Sequence, residues 1–134
     1  MNQSNGHVAA ISGGRGEKEG SLTLNRALHS NRQPGSASMI ISTFAPAIDS
    51  CGATLASTYY DAPYSSGNQQ VLNWWGNTYL AYNNTRQALT YSMNVLDARC
   101  LSSLVSDFTA NDYLQLFGLV DANVFESSSF LAPA

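Results

Sequence analysis

Short stretches of the chain alternate between polar and apolar residues or are rich in strand-forming residues. Residues 21–25 alternate, while residues 39–44 and 53–60 are rich in β-branched or aromatic side chains. Clusters of glycine, proline and small polar residues separate these stretches, as in turns between antiparallel strands. With residues 7–12 and the glycine-rich run at 13–20, the first stretch predicts an N-terminal β-hairpin over residues 1–25.

Residues 89–95 alternate strictly, so a strand there would have one dry face and one wet face. The dry-face residues are Leu89, Tyr91, Met93 and Val95, and the wet-face residues are Thr90, Ser92 and Asn94. The alternative is a helix with an apolar side formed by Leu89, Met93, Leu96 and Cys100. The period of two and the β-favouring Thr, Tyr and Val side chains favour the strand.

Residues 71–82 leave the type of element open. Their aromatic enrichment favours two short strands broken by Gly76, whereas Leu72, Trp75 and Tyr79 also have helical spacing. The strand is the preferred interpretation because the segments are short and aromatic.

Two amphipathic helices are predicted after residue 95. Asp97 can cap the first helix and Thr109 the second, and Gly118 interrupts or ends the second. The apolar stripes are Leu101, Leu104, Val105 and Phe108 in the first helix, and Tyr113, Leu116, Phe117 and Val120 in the second. The predicted fold class is therefore α+β in one domain over residues 1–134. It has the hairpin at 1–25, an antiparallel β-sheet at 39–95 and two C-terminal α-helices at 97–120.

Charge is scarce in this chain, and its scarcity favours self-association. Charged residues make up 11% of the 134 residues and hydrophobic residues 44%, against roughly 25% charged in typical soluble proteins. A weakly charged surface is poorly protected against contact with copies of itself. The net charge is −3, and most basic residues precede residue 39, so the sequence contains no strong basic patch for nucleic acid.

Motifs for catalysis, metal binding or cofactor binding are not evident. The run at residues 13–20 lacks the Gly-Lys-Ser/Thr ending of a phosphate loop, and His7 and His29 have no ligand-spaced neighbours. No Gly-x-Ser-x-Gly elbow occurs, and neither Cys51 nor Cys100 has a nearby histidine. The sequence therefore predicts a protein that is not an enzyme and that has no catalytic residue, metal site or cofactor.

The beginning of the chain lacks a basic-then-apolar signal pattern, and no apolar run approaches the ~20 residues that cross a bilayer. We therefore expect no membrane partner and a cytoplasmic location at synthesis.

The order of elements resembles the levivirus-type coat protein of single-stranded RNA bacteriophages. The most specific local match is residues 85–88 leading into the strand at 89–95 and then Asp97, and residues 21–26 are similar to the second strand of that family's hairpin. The resemblance implies an interlocked homodimer that assembles into an icosahedral, RNA-containing capsid in the virion, with assembly in the host cytoplasm. It also implies single-stranded RNA binding by Arg86, Thr90, Ser92 and Asn94.

Two alternatives remain open at this point. One is another virion component, such as a decoration or tail protein. The other is a non-enzymatic carbohydrate-binding β domain that uses aromatic side chains. Its candidate residues are Trp74, Trp75, Tyr79 and Tyr82.

Overall fold

The computed structural model describes residues 1–17, 20–30 and 32–120. The chain divides into two compact units, residues 1–33 and residues 34–134. The prediction of a single domain stays a prediction.

The first unit contains one short helix, α1 (Arg26–His29), and no strand among its described residues. The Asn25 side chain accepts a hydrogen bond from the Ala27 N–H at 3.1 Å and so caps α1. Leu22 has a φ of 61° and a fully exposed side chain. This left-handed conformation does not fit an extended strand, so the described part of residues 1–25 does not form the predicted hairpin. Lys18 and Glu19, in its predicted turn, lie outside the described residues.

The second unit, described over residues 34–120, mixes short helices and short strands. A 3₁₀ turn at Gly35–Ala37 and a π-helical segment at Ile40–Phe44 lead into α2 (Ala45–Asp49). The strands are β1 (Thr58–Asp61), β2 (Tyr64–Ser66), β3 (Gln69–Val71) and β4 (Ala81–Asn84). The later helices are α3 (Thr85–Tyr91), α4 (Asn94–Cys100), a π-helical segment at Leu101–Val105 and α5 (Ser106–Leu116).

The strands form two separate antiparallel pairs. Strand β1 pairs with β4, with Thr58 opposite Asn84 and Asp61 opposite Ala81. Strands β2 and β3 form a hairpin closed by Gly67, whose positive φ suits a tight turn. Residues 72–80, where strands were preferred, contain only an isolated bridge between Asn73 and Gly76. The described strands therefore cover only part of the sheet predicted over residues 39–95.

The strand predicted at residues 39–44 is helical. Met39, Phe44 and Ala47 all pack in or against the buried core, so this helical stretch has an apolar side that faces the core. Burial of this apolar side outweighs the β preference of Ile40, Ile41 and Thr43, because β propensity depends strongly on context.

Residues 89–95, predicted as a strand, instead contain the end of α3, a short turn and the beginning of α4. Leu89 and Tyr91 end α3, Ser92 adopts a left-handed conformation, and α4 begins at Asn94. The alternation therefore falls at the junction between two helices and does not reflect a pleat. The four residues of the rejected helical alternative, Leu89, Met93, Leu96 and Cys100, all lie in or against the core.

The C-terminal helices begin earlier than predicted. Asp97 lies within the first turn of α4 and does not cap it, and α5 runs through Thr109. α5 ends at Leu116, and Gly118 follows with a φ of 68°, as a glycine after a helix often does. Among residues 1–17, 20–30 and 32–120, no helix combines the length and apolar character needed to cross a membrane.

Candidate functional site

Ser92, Met93 and Asn94 form the connection between α3 and α4, which we call the 92–94 turn. Ser92 has φ 51° and ψ 57°, a left-handed conformation that is strained for a residue other than glycine. Met93 is fully buried, and its N–H donates to the Ala88 carbonyl at 2.9 Å. The buried methionine anchors the turn and leaves Ser92 and Asn94 half-buried on its outer side.

A loop at residues 72–76 fixes the beginning of α4. The Asn94 side-chain amide donates to the Leu72 carbonyl at 2.8 Å, and the Val95 N–H donates to Asn73 Oδ1 at 3.2 Å. On the α3 side, the Trp74 indole N–H donates to the Tyr91 carbonyl at 2.8 Å. The loop therefore contacts the end of α3 and the beginning of α4, on both sides of the 92–94 turn.

Asp61 supports this loop from the end of β1. It is buried, and its carboxylate accepts hydrogen bonds from Asn73 Nδ2 at 2.9 Å and from the Leu80 N–H at 2.8 Å. Asn73 thus bridges Asp61 and Val95. A buried network whose members are all hydrogen-bonded restricts local movement, so the 92–94 turn rests on a rigid base.

The π-helical segment at Ile40–Phe44 faces α4. The Thr43 hydroxyl lies close enough to the Asp97 carboxyl on α4 to favour its ionised form. Met39 is half-buried and packs against the same apolar cluster that contains Met93. Ser36, on the preceding 3₁₀ turn, is exposed, so a serine hydroxyl stands at the start of the helical segment that packs on α4.

Asp97 is an electrostatically unusual group in this unit. Burial raises the pKa of its carboxyl to about 6, and the Thr43 hydroxyl, which favours the ionised form, offsets this only in part. Its Oδ1 is buried without a hydrogen-bond partner within the described part of the chain.

The buried thiol is a poor nucleophile. Burial raises the pKa of Cys100, although its hydrogen bond with the Tyr59 hydroxyl, at 3.1 Å, acts in the opposite direction. Burial also raises the pKa of Tyr59. Because the reactive form of cysteine is the thiolate, Cys100 is held in its unreactive form.

The four residues predicted to bind RNA do not share a strand face. Arg86 and Thr90 are exposed on α3, and the Thr90 hydroxyl donates to the Arg86 carbonyl at 2.8 Å. Ser92 and Asn94 lie together in the 92–94 turn. No group of three His, Cys, Asp or Glu side chains suitable for a metal ion occurs in the described residues.

Comparison with known proteins decides the family. A model of the family described as "Penicillin binding protein transpeptidase domain" matches residues 1–129. The chain belongs to this transpeptidase family. Penicillin-binding protein 1A of Clostridium tetani is 32% identical over 140 residues, covering 95% of this chain and 17% of that protein. The protein of the same name from Neisseria flavescens is 35% identical over 134 residues, covering 92% of this chain and 16% of that protein. The chain thus spans about a sixth of these curated relatives.

This finding overturns the coat-protein interpretation. The resemblance rested on the strand at 89–95, which is a helix–turn–helix, and on a generic element order. The predictions of a virion location, an RNA-containing capsid, a homodimer and RNA as partner are wrong, as are the two alternative functions. The prediction that the protein is not an enzyme is also contradicted, because the family is one of transpeptidases.

The 92–94 turn corresponds to one of the short motifs of the transpeptidase family. Penicillin-binding proteins carry Ser-x-x-Lys, whose serine is the nucleophile, Ser-Asp-Asn and Lys-Thr-Gly. Ser92-Met93-Asn94 matches the second motif except at its middle residue. Ser36 and Ser38 both stand before the helical segment that packs on α4, so both are candidates for the serine of the first motif. Lys-Thr-Gly does not occur in these 134 residues.

The sequence interpretation selected Ser92 and Asn94 for another reason and missed Ser36. The available signal was the pair of short motifs taken together, a serine after the turn residues Pro34 and Gly35 and a later Ser-x-Asn. The first motif was hidden because neither Ser36 nor Ser38 is followed by a lysine at the third residue.

Proposed function

We propose that this chain contributes the serine and the 92–94 turn of a transpeptidase-family site that binds peptides of the bacterial cell wall. In transpeptidation a serine hydroxyl takes the acyl group of one peptide, and the amine of a second peptide then receives it. We assign Ser36 to the position of this serine. The proposal places the chain at the cell envelope, where such peptides occur.

The observation that supports this proposal is the strained conformation of Ser92 next to Met93, which shares an apolar cluster with Phe44 of the helical segment that follows Ser36. A left-handed serine costs about 1–3 kcal/mol and persists only where surrounding contacts hold it. Here the contacts of Asn73 with Val95 and of Asn94 with Leu72 hold the next residues of the turn. Strain of this kind clusters at ligand sites, because it presents side chains in a fixed orientation.

The side chains of the turn are suited to a peptide. The Asn94 amide nitrogen donates a hydrogen bond to the Leu72 carbonyl. This bond orients the amide group and leaves the amide oxygen able to accept from a substrate N–H. The Ser92 hydroxyl can donate or accept. Together they offer the donor and acceptor pair that an extended peptide or the amide of penicillin requires.

Penicillin G titrated into ¹⁵N-labelled protein tests this proposal. We expect saturable shifts of the Ser36 and Ser92 amide signals, and weaker binding after Asn94→Ala, because that substitution removes both the contact with Leu72 and the acceptor oxygen. Asn77→Ala, at an exposed loop residue, is the matched control and should bind as the natural protein does. Unaltered binding by Asn94→Ala, or shifts only at distant residues, would contradict the proposed site.

A further inference from the structure

The lysine of the first transpeptidase motif has no counterpart in this chain. Lys18 is the single lysine, and Arg15 stands three residues before it, so no Ser-x-x-Lys occurs anywhere in the sequence. Counting three residues from Ser36 leads to Met39. Counting from Ser38, the other serine at the start of this segment, leads to Ile41. Either choice puts an apolar side chain where the motif has an amine.

The surroundings of Met39 confirm that its side chain is used for packing. It is half-buried against the apolar cluster that includes Phe44, Met93 and Leu96. The position is therefore occupied by a side chain that contributes to the core and cannot accept a proton.

Other basic side chains of the second unit do not replace the amine. Residues 34–134 contain two of them, Arg86 and Arg99. Arginine stays protonated in proteins and so cannot act as a base. Arg99 is also engaged, since it donates to the Pro63 carbonyl at 3.2 Å and lies over the Tyr64 ring at 4.7 Å.

We propose that Met39, in place of the lysine, prevents acylation of Ser36 at an enzymatic rate. The site then binds penicillin and peptide carbonyls only reversibly. The inference rests on the proposed function, because it takes Ser36 as the nucleophile. Acylation forms a bond between Ser36 Oγ and the β-lactam carbonyl carbon and breaks the carbon–nitrogen bond of the ring. The serine proton must reach the ring nitrogen, and a neutral amine three residues away can carry it. A thioether cannot.

Intact-protein mass spectrometry after incubation with penicillin G tests this inference. Ring opening expels no atoms, so acylation adds the mass of one penicillin molecule. We expect the natural chain to stay unmodified and Met39→Lys to gain the adduct at a rate at least ~10²-fold higher, the usual contribution of a positioned acid–base group. Met39→Leu is the matched apolar control and should stay unmodified. Met39→Lys combined with Ser36→Ala should lose the adduct.

The same measurements are made in a chimera in which this chain replaces the matched segment of Clostridium tetani penicillin-binding protein 1A. Thermal denaturation first establishes that each variant is folded. An adduct in a Met39→Lys protein alone, lost with Ser36→Ala, supports the inference. An adduct on Ser36 of the natural chain in either setting overturns it and leaves the proposed function standing.

Folded Met39→Lys proteins that show penicillin-induced NMR shifts but no adduct in either setting also overturn the inference, because Met39 would then not be the cause. Absence of both shifts and adducts refutes the proposed function itself. The two failures are therefore distinguishable.

Discussion

Asp97 is a carboxylate held inside the second unit, and its ionisation links stability to pH. Its folded pKa of about 6 lies above its ordinary value of 3.8, so between these values the folded protein holds a proton that the unfolded chain has released. Its stabilising effect is therefore complete below about pH 4 and is lost as pH rises through 6. The loss by pH 7 is ~3 kcal/mol, for a shift of about two pH units.

Asp97→Asn should remove this loss. We expect the variant to be more stable than the natural protein at pH 7 and to have a flatter dependence of unfolding free energy on pH, because an amide does not ionise. Urea denaturation at pH 4 and pH 7 measures both effects. Asp107→Asn, at an exposed position on α5, is the control and should leave the pH dependence unchanged. Parallel pH profiles for Asp97→Asn and the natural protein would show that Asp97 is not the group responsible.

At the residue scale, the sequence identified Asp97, Ser92 and Asn94 as notable but misassigned all three. Asp97 is a residue type that often caps helices, yet it lies inside the first turn of α4, near Thr43. Only the packing of α4 against the segment at Ile40–Phe44 decides that its carboxylate is buried. Burial depends on contacts distant in sequence, which a local pattern does not contain.

At the scale of elements, α3 begins with a reciprocal cap. Asn84 Oδ1 accepts from the Gln87 N–H at 2.9 Å, and Gln87 Oε1 accepts from the Asn84 N–H at 3.0 Å. This arrangement satisfies two backbone donors at the helix start. The spacing of Asn84 and Gln87 was visible in the sequence, where it indicated a helix at the residues interpreted as the approach to a strand.

Asn84→Ala should lower the unfolding free energy by about 1 kcal/mol, because the backbone donor at Gln87 loses its side-chain acceptor. Chemical denaturation followed by circular dichroism gives the value. Asn84→Asp keeps an acceptor oxygen in place and should retain most of the stability. Equal losses for alanine and aspartate would mean that capping is not what Asn84 contributes.

At the scale of the whole second unit, stability depends on an apolar cluster contributed by several helical segments. Phe44, Ala88 and Leu96 are buried in this cluster and belong to the π-helical segment at Ile40–Phe44, α3 and α4, and Met93 of the 92–94 turn is buried there too. The cluster joins the segment that follows Ser36 to the 92–94 turn. The core and the candidate site therefore share the same packing.

Phe44→Ala should destabilise the protein by about 3–5 kcal/mol, since it removes a buried aromatic ring and leaves a cavity. It should also weaken penicillin binding, because the segment carrying Ser36 loses its support on α4. Thermal denaturation and the NMR titration measure the two effects. Phe117→Ala removes the same side chain from an exposed position and should change neither appreciably. A loss below 1 kcal/mol for Phe44→Ala would rule out this core.

The sequence by itself determined the chemistry available to the site. It contains a Ser-x-Asn at 92–94, serines at 36 and 38, and no lysine after Lys18, and no arrangement of the chain can supply the missing amine from residues 34–134. It also determined that Gly118 follows a helix. These properties depend on the identity of residues and on local backbone preference, both of which can be read from the sequence.

Only the tertiary structure decided how residues 39–44 and 89–95 fold. A seven-residue alternation of apolar and polar side chains fits a strand, but it also arises where one helix ends in a short turn and another helix begins. Burial of Met93 and Phe44 in one cluster makes the second outcome the stable one. That choice depends on contacts between segments about 50 residues apart, because the free energy of burying apolar surface is a property of the assembled core and not of any single segment.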